Sequence, residues 1–215
     1  MKLFKILMML VTFAVCSQNP DRFKDEVLGI QKKYDSVWDA SKKTIVFTGS
    51  SSIRIWDDLN QRFPGHQIVN SGFGSSQASD LLAYTDELIL GFNPYKVFIY
   101  EGDNDIGYDK RPKEIVATTK MIIERIRSMN KEVIIVLISA KPSIARWHLK
   151  RKYKSLNRKF KKMGKRDDNI QYANIWEPML HGNKLNESIF NEDGLHMNSK
   201  GYDIWYSVLD PFINN

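Results

Sequence analysis

The sequence predicts an α/β fold, a three-layer α/β/α sandwich built on a mostly parallel five-stranded sheet. Three observations lead there. Short runs rich in β-branched and aromatic residues alternate with longer stretches of helical spacing. Most of the short runs are almost continuously apolar, as strands covered on both faces are. The 215 residues suit one α/β domain, and a 42% apolar content with 12% aromatics can fill its core. Strand–helix alternation implies right-handed crossovers and a parallel sheet.

The N-terminus stands apart from that pattern. Lys2 and Lys5 flank the start of an apolar run over 6–15, followed by Cys16, Ser17 and Gln18. A basic start, a short apolar run and a polar exit read as a secretory signal peptide over residues 1–17. The run falls well short of the ~20 residues that a spanning helix needs. A secreted or periplasmic location is therefore expected, with the folded domain over 20–215. Cys16 is the only cysteine, so there is no disulfide framework. Its place resembles the lipidation cysteine of bacterial lipoproteins, although Val15 stands where a small residue usually precedes it. A lipid anchor at Cys16 and free secretion both stay open.

From residue 21 the elements follow in order. Phe23, Val27, Ile30, Tyr34 and Trp38 share one face of a helix over 21–38. Strands are expected at 44–48 (TIVFT), 67–70 (QIVN), 96–100 (KVFIY), 132–139 (EVIIVLIS) and, more weakly patterned, 170–175 (IQYANI). Helices are expected at 78–90, 112–129, 145–163 and 199–209, with Pro112 suited to a first turn. Such sheets bind ligands at the carboxyl ends of their strands.

Chemistry-bearing residues fall in those loops. The first strand runs into Gly49-Ser50-Ser51, a tight turn that can display a serine nucleophile. This is not the G-x-S-x-G elbow of the α/β-hydrolases. The second strand is followed by Gly72-Phe73-Gly74-Ser75-Ser76, and the third by Glu101-Gly102-Asp103-Asn104-Asp105. Small residues and an asparagine there can surround a developing oxyanion. Near the C-terminus, Asp193 precedes His196 by three residues, so the carboxylate can orient the ring and leave its far nitrogen as a base. Each signal alone is as well explained by a turn or a helix cap.

Their order along the chain carries more. The runs FTGSSSIRIW, VNSGFGSS, YEGDND, ISAKPSIARW and DGLHMNSKGYDIW resemble the blocks of the SGNH/GDSL hydrolase family, a flavodoxin-like fold. The resemblance runs from about residue 44 to the C-terminus, and is nearest to the bacterial branch allied to platelet-activating-factor acetylhydrolase. It implies a serine esterase working through an acyl-enzyme, with no cofactor and no metal. Ser51 matches the nucleophile, His196 the general base and Asp193 its partner. The oxyanion donors it implies are the Ser51 N–H, the Ser75 N–H and the Asn104 side chain. Two departures stand out. Ser50 replaces the usual aspartate before the nucleophile, and Ser75 replaces a glycine. If that second position needs φ > 0, serine costs on the order of 1 kcal/mol.

The remaining features have plainer readings beside functional ones. The net charge is +7 and the region 141–166 holds many Lys and Arg and no acid. That region can dock an anionic polymer or serve as a solvated helix face, and the Tyr153, Leu156 and Phe160 stripe favours the second. A nucleic-acid partner suits the charge and conflicts with the secretory N-terminus, so none is expected. Trp56, Trp147, Trp176 and Trp205 suit a sugar site or the core. Lys141 and Arg146 follow the fourth strand and are candidates to hold an anionic part of a substrate; bracing the loop is their alternative use. Arg54 reads as structural. His66, His148 and His181 lack ligand spacing, so no metal site is expected. The expected substrate is a small acyl ester, acetyl above all, on a carbohydrate or lipid. A catalytically weak, glycan-binding protein is the alternative.

Overall fold

A computed structural model of the chain describes residues 19–213. The expected signal peptide and Cys16 lie outside them. After a 3-10 turn at Pro20–Phe23 come α1 (Lys24–Tyr34), β1 (Thr44–Gly49), α2 (Ser51–Arg54), α3 (Leu59–Arg62) and β2 (Gln67–Gly72). Then follow α4 (Ala78–Ala83), α5 (Thr85–Leu88), β3 (Lys96–Tyr100), α6 (Asp103–Gly107) and α7 (Pro112–Met129). The chain continues through β4 (Ile134–Ile138), α8 (Lys150–Gly164), β5 (Ile170–Ala173), the short β6 (Leu180–His181) and β7 (Lys184–Leu185), and α9 (Ser199–Ile213).

The five long strands form one parallel sheet in the order β2-β1-β3-β4-β5. Every residue of β1 and β3 is buried, which is why their sequences show no polar alternation. Their side chains still divide by face with period two. Val46, Val69, Val97 and Ile135 join Val27, Leu81, Ile122 and Tyr153 on one side. Phe47, Phe98, Tyr100 and Val136 join Ile53, Trp56, Leu59 and Trp205 on the other. Trp56 and Trp205 are therefore core residues.

Chain direction across the sheet reverses between β1 and β3, the switch point at which such sheets open a crevice. Register makes that crevice usable. Gly49 lies opposite Gly72 on one side and Tyr100 on the other. The three loops that carry the serine, the glycine-rich turn and the Asp-Asn run thus leave the sheet at one level.

Helix boundaries differ from expectation where side chains compete with the backbone. The 78–90 stretch breaks into α4, α5 and a 3-10 turn at Leu90–Phe92. Thr85 Oγ1 donates to the Leu81 carbonyl at 2.9 Å, a local bond of the kind that bends helices. The basic helix begins at Lys150, after a 3-10 turn at Trp147–Leu149. It buries Tyr153, Leu156 and Phe160 and leaves Arg151, Lys154, Arg158, Lys161 and Lys162 exposed, as a solvated face does. The last helix runs through Pro211 to Ile213. Lys96, buried on β3, donates its ammonium to the Phe212 carbonyl at 2.5 Å and the Ile213 carbonyl at 3.1 Å, satisfying the helix end. The β6–β7 hairpin has no counterpart in the sequence reading.

Candidate active site

The serine turn is fixed by backbone geometry. Gly49 ends β1 at φ +125°, and a Cβ there would lie 2.0 Å from the Tyr100 carbonyl oxygen. Only glycine fits that approach. The Ser50 N–H donates to the Tyr100 carbonyl and the Phe73 N–H to that of Gly49. Ser51 is thereby placed at the first residue of α2, half-buried at the sheet edge. From α9, the Tyr202 hydroxyl donates to the Ser52 carbonyl at 2.9 Å and locks the turn from behind.

The histidine loop is braced by its own asparagines. The Asn191 N–H donates to the His196 carbonyl at 2.9 Å. Asn198 Nδ2 donates to the carbonyls of Ser188 and Phe190, while its Oδ1 receives the Lys200 N–H at the start of α9. The result brings Asp193, His196 and Ser51 into a chain. Asp193 Oδ2 lies 2.5 Å from His196 Nδ1, and His196 Nε2 lies 2.9 Å from Ser51 Oγ.

Protonation follows from the partners. Partial burial raises the Asp193 carboxyl, but the Leu195 N–H, the His196 ring and the His196 N–H outweigh it and hold it at about 2. An ionised carboxylate only accepts, so Nδ1 carries the ring proton. In the neutral ring Nε2 then accepts from the Ser51 hydroxyl, the arrangement a general base needs.

The two further residues expected as oxyanion donors, Asn104 and Ser75, lie on the loops that follow β3 and β2. Asn104 is buried at the start of α6. Its Nδ2 donates to the Ser76 carbonyl at 2.9 Å, and its Oδ1 accepts from Arg146 at 3.1 Å. Ser75 adopts φ +59°, so the strain expected of a serine at this glycine position is present. Neighbouring side chains hold its turn. Glu26 of α1 accepts the Gly74 N–H at 2.9 Å and stands 3.7 Å from Arg54. On the other side, Ser76 Oγ donates to Glu101 Oε1 at 2.7 Å. Burial pushes the Glu101 carboxyl well above the usual range, and the Asp105 charge adds to it.

Lys141 makes bracing contacts, the second of its two expected uses. Its side chain is fully buried, with Nζ donating to the Leu195 carbonyl at 2.6 Å and lying 3.4 Å from Asp103. Both hydrogen bonds tie loops of the protein together. Arg146 also turns inward, to Asp103 Oδ1 at 2.7 Å and to Asn104. Asp103 collects both cations and the hydroxyls of Tyr100 and Tyr153. Burial raises its carboxyl, but Lys141, Arg146 and Tyr153 hold it well below the usual range. The sequence reading missed Asp103, Glu101 and Glu26 as supports, because nothing local separates a buried acid from a solvated one.

Among the described residues, no group of three His, Cys, Asp or Glu side chains is placed to hold a metal ion. A cleft of about 490 Å³ between α7 and α8 is lined by Lys120, Arg127, Lys162 and neighbours, and includes no residue of the serine site.

The sheet order and its helices are those of the SGNH hydrolase fold. A profile of the GDSL-like lipase/acylhydrolase family matches residues 35–204, and the chain belongs to that family. It is therefore an ester hydrolase by class. A Streptococcus pneumoniae protein provisionally described as a platelet activating factor superimposes with a TM-score of 0.77 at 21% identity, over 89% of this chain and 94% of that one. A GDSL-like lipase from Bacteroides thetaiotaomicron gives 0.71 at 21% identity, over 91% and 97%. A carbohydrate esterase family 3 protein from Talaromyces cellulolyticus gives 0.64 at 13% identity, over 80% and 96%. At these identities the likeness is one of fold. No match was found among curated proteins.

Two predictions follow from the turn that carries Ser75. Ser75→Gly relieves the left-handed strain, so melting temperature rises by the equivalent of ~1 kcal/mol and turnover of small acetyl esters is kept or increased. A large loss of turnover in the folded variant would show that the serine side chain is needed. The second concerns Glu101. Because its folded carboxyl stays protonated above the pH at which the unfolded chain ionises, stability falls as pH rises from about 4.5 toward the folded value. Glu101→Gln keeps an acceptor for Ser76 and removes that slope. The variant's gain in melting temperature should be larger at pH 8 than at pH 5; an equal shift at both would place the proton elsewhere.

Proposed function

We propose that the chain is a serine esterase that removes a small acyl group, acetyl above all, from a carbohydrate or lipid. The observation that carries this reading is the unbroken chain from the Asp193 carboxylate through both His196 nitrogens to Ser51 Oγ.

In the first half-reaction Ser51 Oγ attacks the ester carbonyl carbon while Nε2 of His196 takes the hydroxyl proton. Asp193 accepts the Nδ1–H bond and stabilises the imidazolium. Negative charge moves onto the carbonyl oxygen, where the N–H groups of Ser51 and Ser75 and the Asn104 amide donate to it. Collapse breaks the bond to the alcohol oxygen, which leaves with the proton from His196. In the second half, water attacks the acyl-serine, giving a proton to His196 and then the carboxylic acid and free Ser51.

A small acyl group is the reading we favour because Ser75 adds a side chain to a turn where the family has glycine, and an added side chain in the acyl path would penalise a long chain. The glycan-binding alternative gives no use to an imidazole held between a carboxylate and a serine hydroxyl.

The test is hydrolysis of p-nitrophenyl acetate and butyrate by residues 20–215, beside Ser51→Ala and His196→Ala. Both variants should retain the fold and lose at least ~10³-fold in kcat, with acetate preferred over butyrate in the wild type. Inactivity of a folded wild type, or activity that survives in Ser51→Ala, would reject the reading.

A further inference from the structure

Asn104 has a side-chain amide of two donors and one acceptor oxygen. Its orientation here is dictated by partners that admit one choice. Arg146 only donates, so the atom it meets at 3.1 Å is Oδ1. The Ser76 carbonyl only accepts, so the atom 2.9 Å away is Nδ2. One N–H is used on Ser76, and the second is left for a ligand atom. Without Arg146 the flipped amide would set its oxygen against the Ser76 carbonyl, and a freely turning one would spend less time presenting that N–H.

Arg146 is itself held by Asp103, and Asp103 also faces Lys141, whose ammonium donates to the carbonyl of Leu195, the residue before His196. A second strut joins the same loops, since the Ala145 N–H donates to the Gly194 carbonyl at 3.0 Å. Asn104 and His196 therefore hang from one buried carboxylate by two cations.

We propose that Arg146 is a positioning residue for the esterase reaction: it fixes the Asn104 amide with an N–H toward the oxyanion, in register with the His196 loop. The proposal rests on the esterase reading above. It replaces the idea of an anion clamp with a role exerted through Asn104, and so separates kcat from KM. Loss of Arg146 leaves ground-state binding intact and weakens an interaction that matters in the transition state. Removing an oxyanion donor outright costs roughly 10²–10³ in rate; leaving it misaligned costs part of that.

The experiment is a double-mutant cycle on p-nitrophenyl acetate with Arg146→Ala, Arg146→Lys, Asn104→Ala and the two doubles. Arg146→Lys keeps a cation beside Asp103, so it preserves the fold if Arg146→Ala does not. The expected result is a kcat lowered ~10-fold or more in the Arg146 variants, with KM within about twofold. The doubles should fall no further than Asn104→Ala alone, because both changes remove one donor. Multiplicative losses in the doubles, or a raised KM at unchanged kcat, would overturn the proposal, and the latter would return Arg146 to substrate binding. A second readout does not need activity. The Asn104 Nδ2 proton bonded to the Ser76 carbonyl should exchange slowly with solvent in the wild type, as read by NMR, and markedly faster in Arg146→Lys. Unchanged exchange would refute the positioning role. An inactive wild type with this change in exchange would reject the esterase reading and leave the amide clamp standing.

Discussion

A single buried carboxylate, Asp103, is the constraint on which the site depends. Its oxygens meet Arg146, Lys141 and the Tyr100 and Tyr153 hydroxyls, which come from β3, α8 and the loop between β4 and α8. Ionised groups taken out of water cost several kcal/mol each unless geometry and hydrogen bonds compensate. That cost makes the arrangement nearly all-or-none. The cations cannot drift from the acid without stranding a charge, so the loops they carry are tied together. In a fold whose functional groups sit on separate loops, this linkage supplies what the sheet alone does not.

The sheet supplies the other half. Parallel pairing brings Gly49, Gly72 and Tyr100 level, and three loops leave from that line. Around them, supports come from distant parts of the chain: Glu26 on α1, Glu101 after β3, Tyr202 on α9. The glycine-rich turn is gripped on both sides, which lets it keep Ser75 in a left-handed conformation costing ~1 kcal/mol. Strain of this kind persists only where the surroundings over-determine the backbone.

How much of this was legible in the sequence depends on whether the signal was local. β1 and β3 were readable because burial on both faces leaves an unbroken apolar run. The pairing of Asp193 with His196 was readable because three residues on one loop can fold back on each other. The break after Ala83 was hidden, since a threonine bonding back to the preceding helix leaves the apolar spacing intact. Lys141 and Arg146 are legible as residues beside the right loops, with bracing as one of their two uses, but the partner they brace is not. Their partner is an acid 38 and 43 positions away, one of three in the run Glu101 to Asp105. Which of the three lies beneath the cations is a matter of tertiary packing.

The central claim is that Ser51 is the nucleophile made reactive by His196. The most direct measurement is covalent trapping with a fluorophosphonate, read by intact mass and peptide mapping. The account predicts one adduct, on Ser51, absent in Ser51→Ala and formed far more slowly in His196→Ala. A folded protein that takes no label, or takes it on another serine, would contradict it.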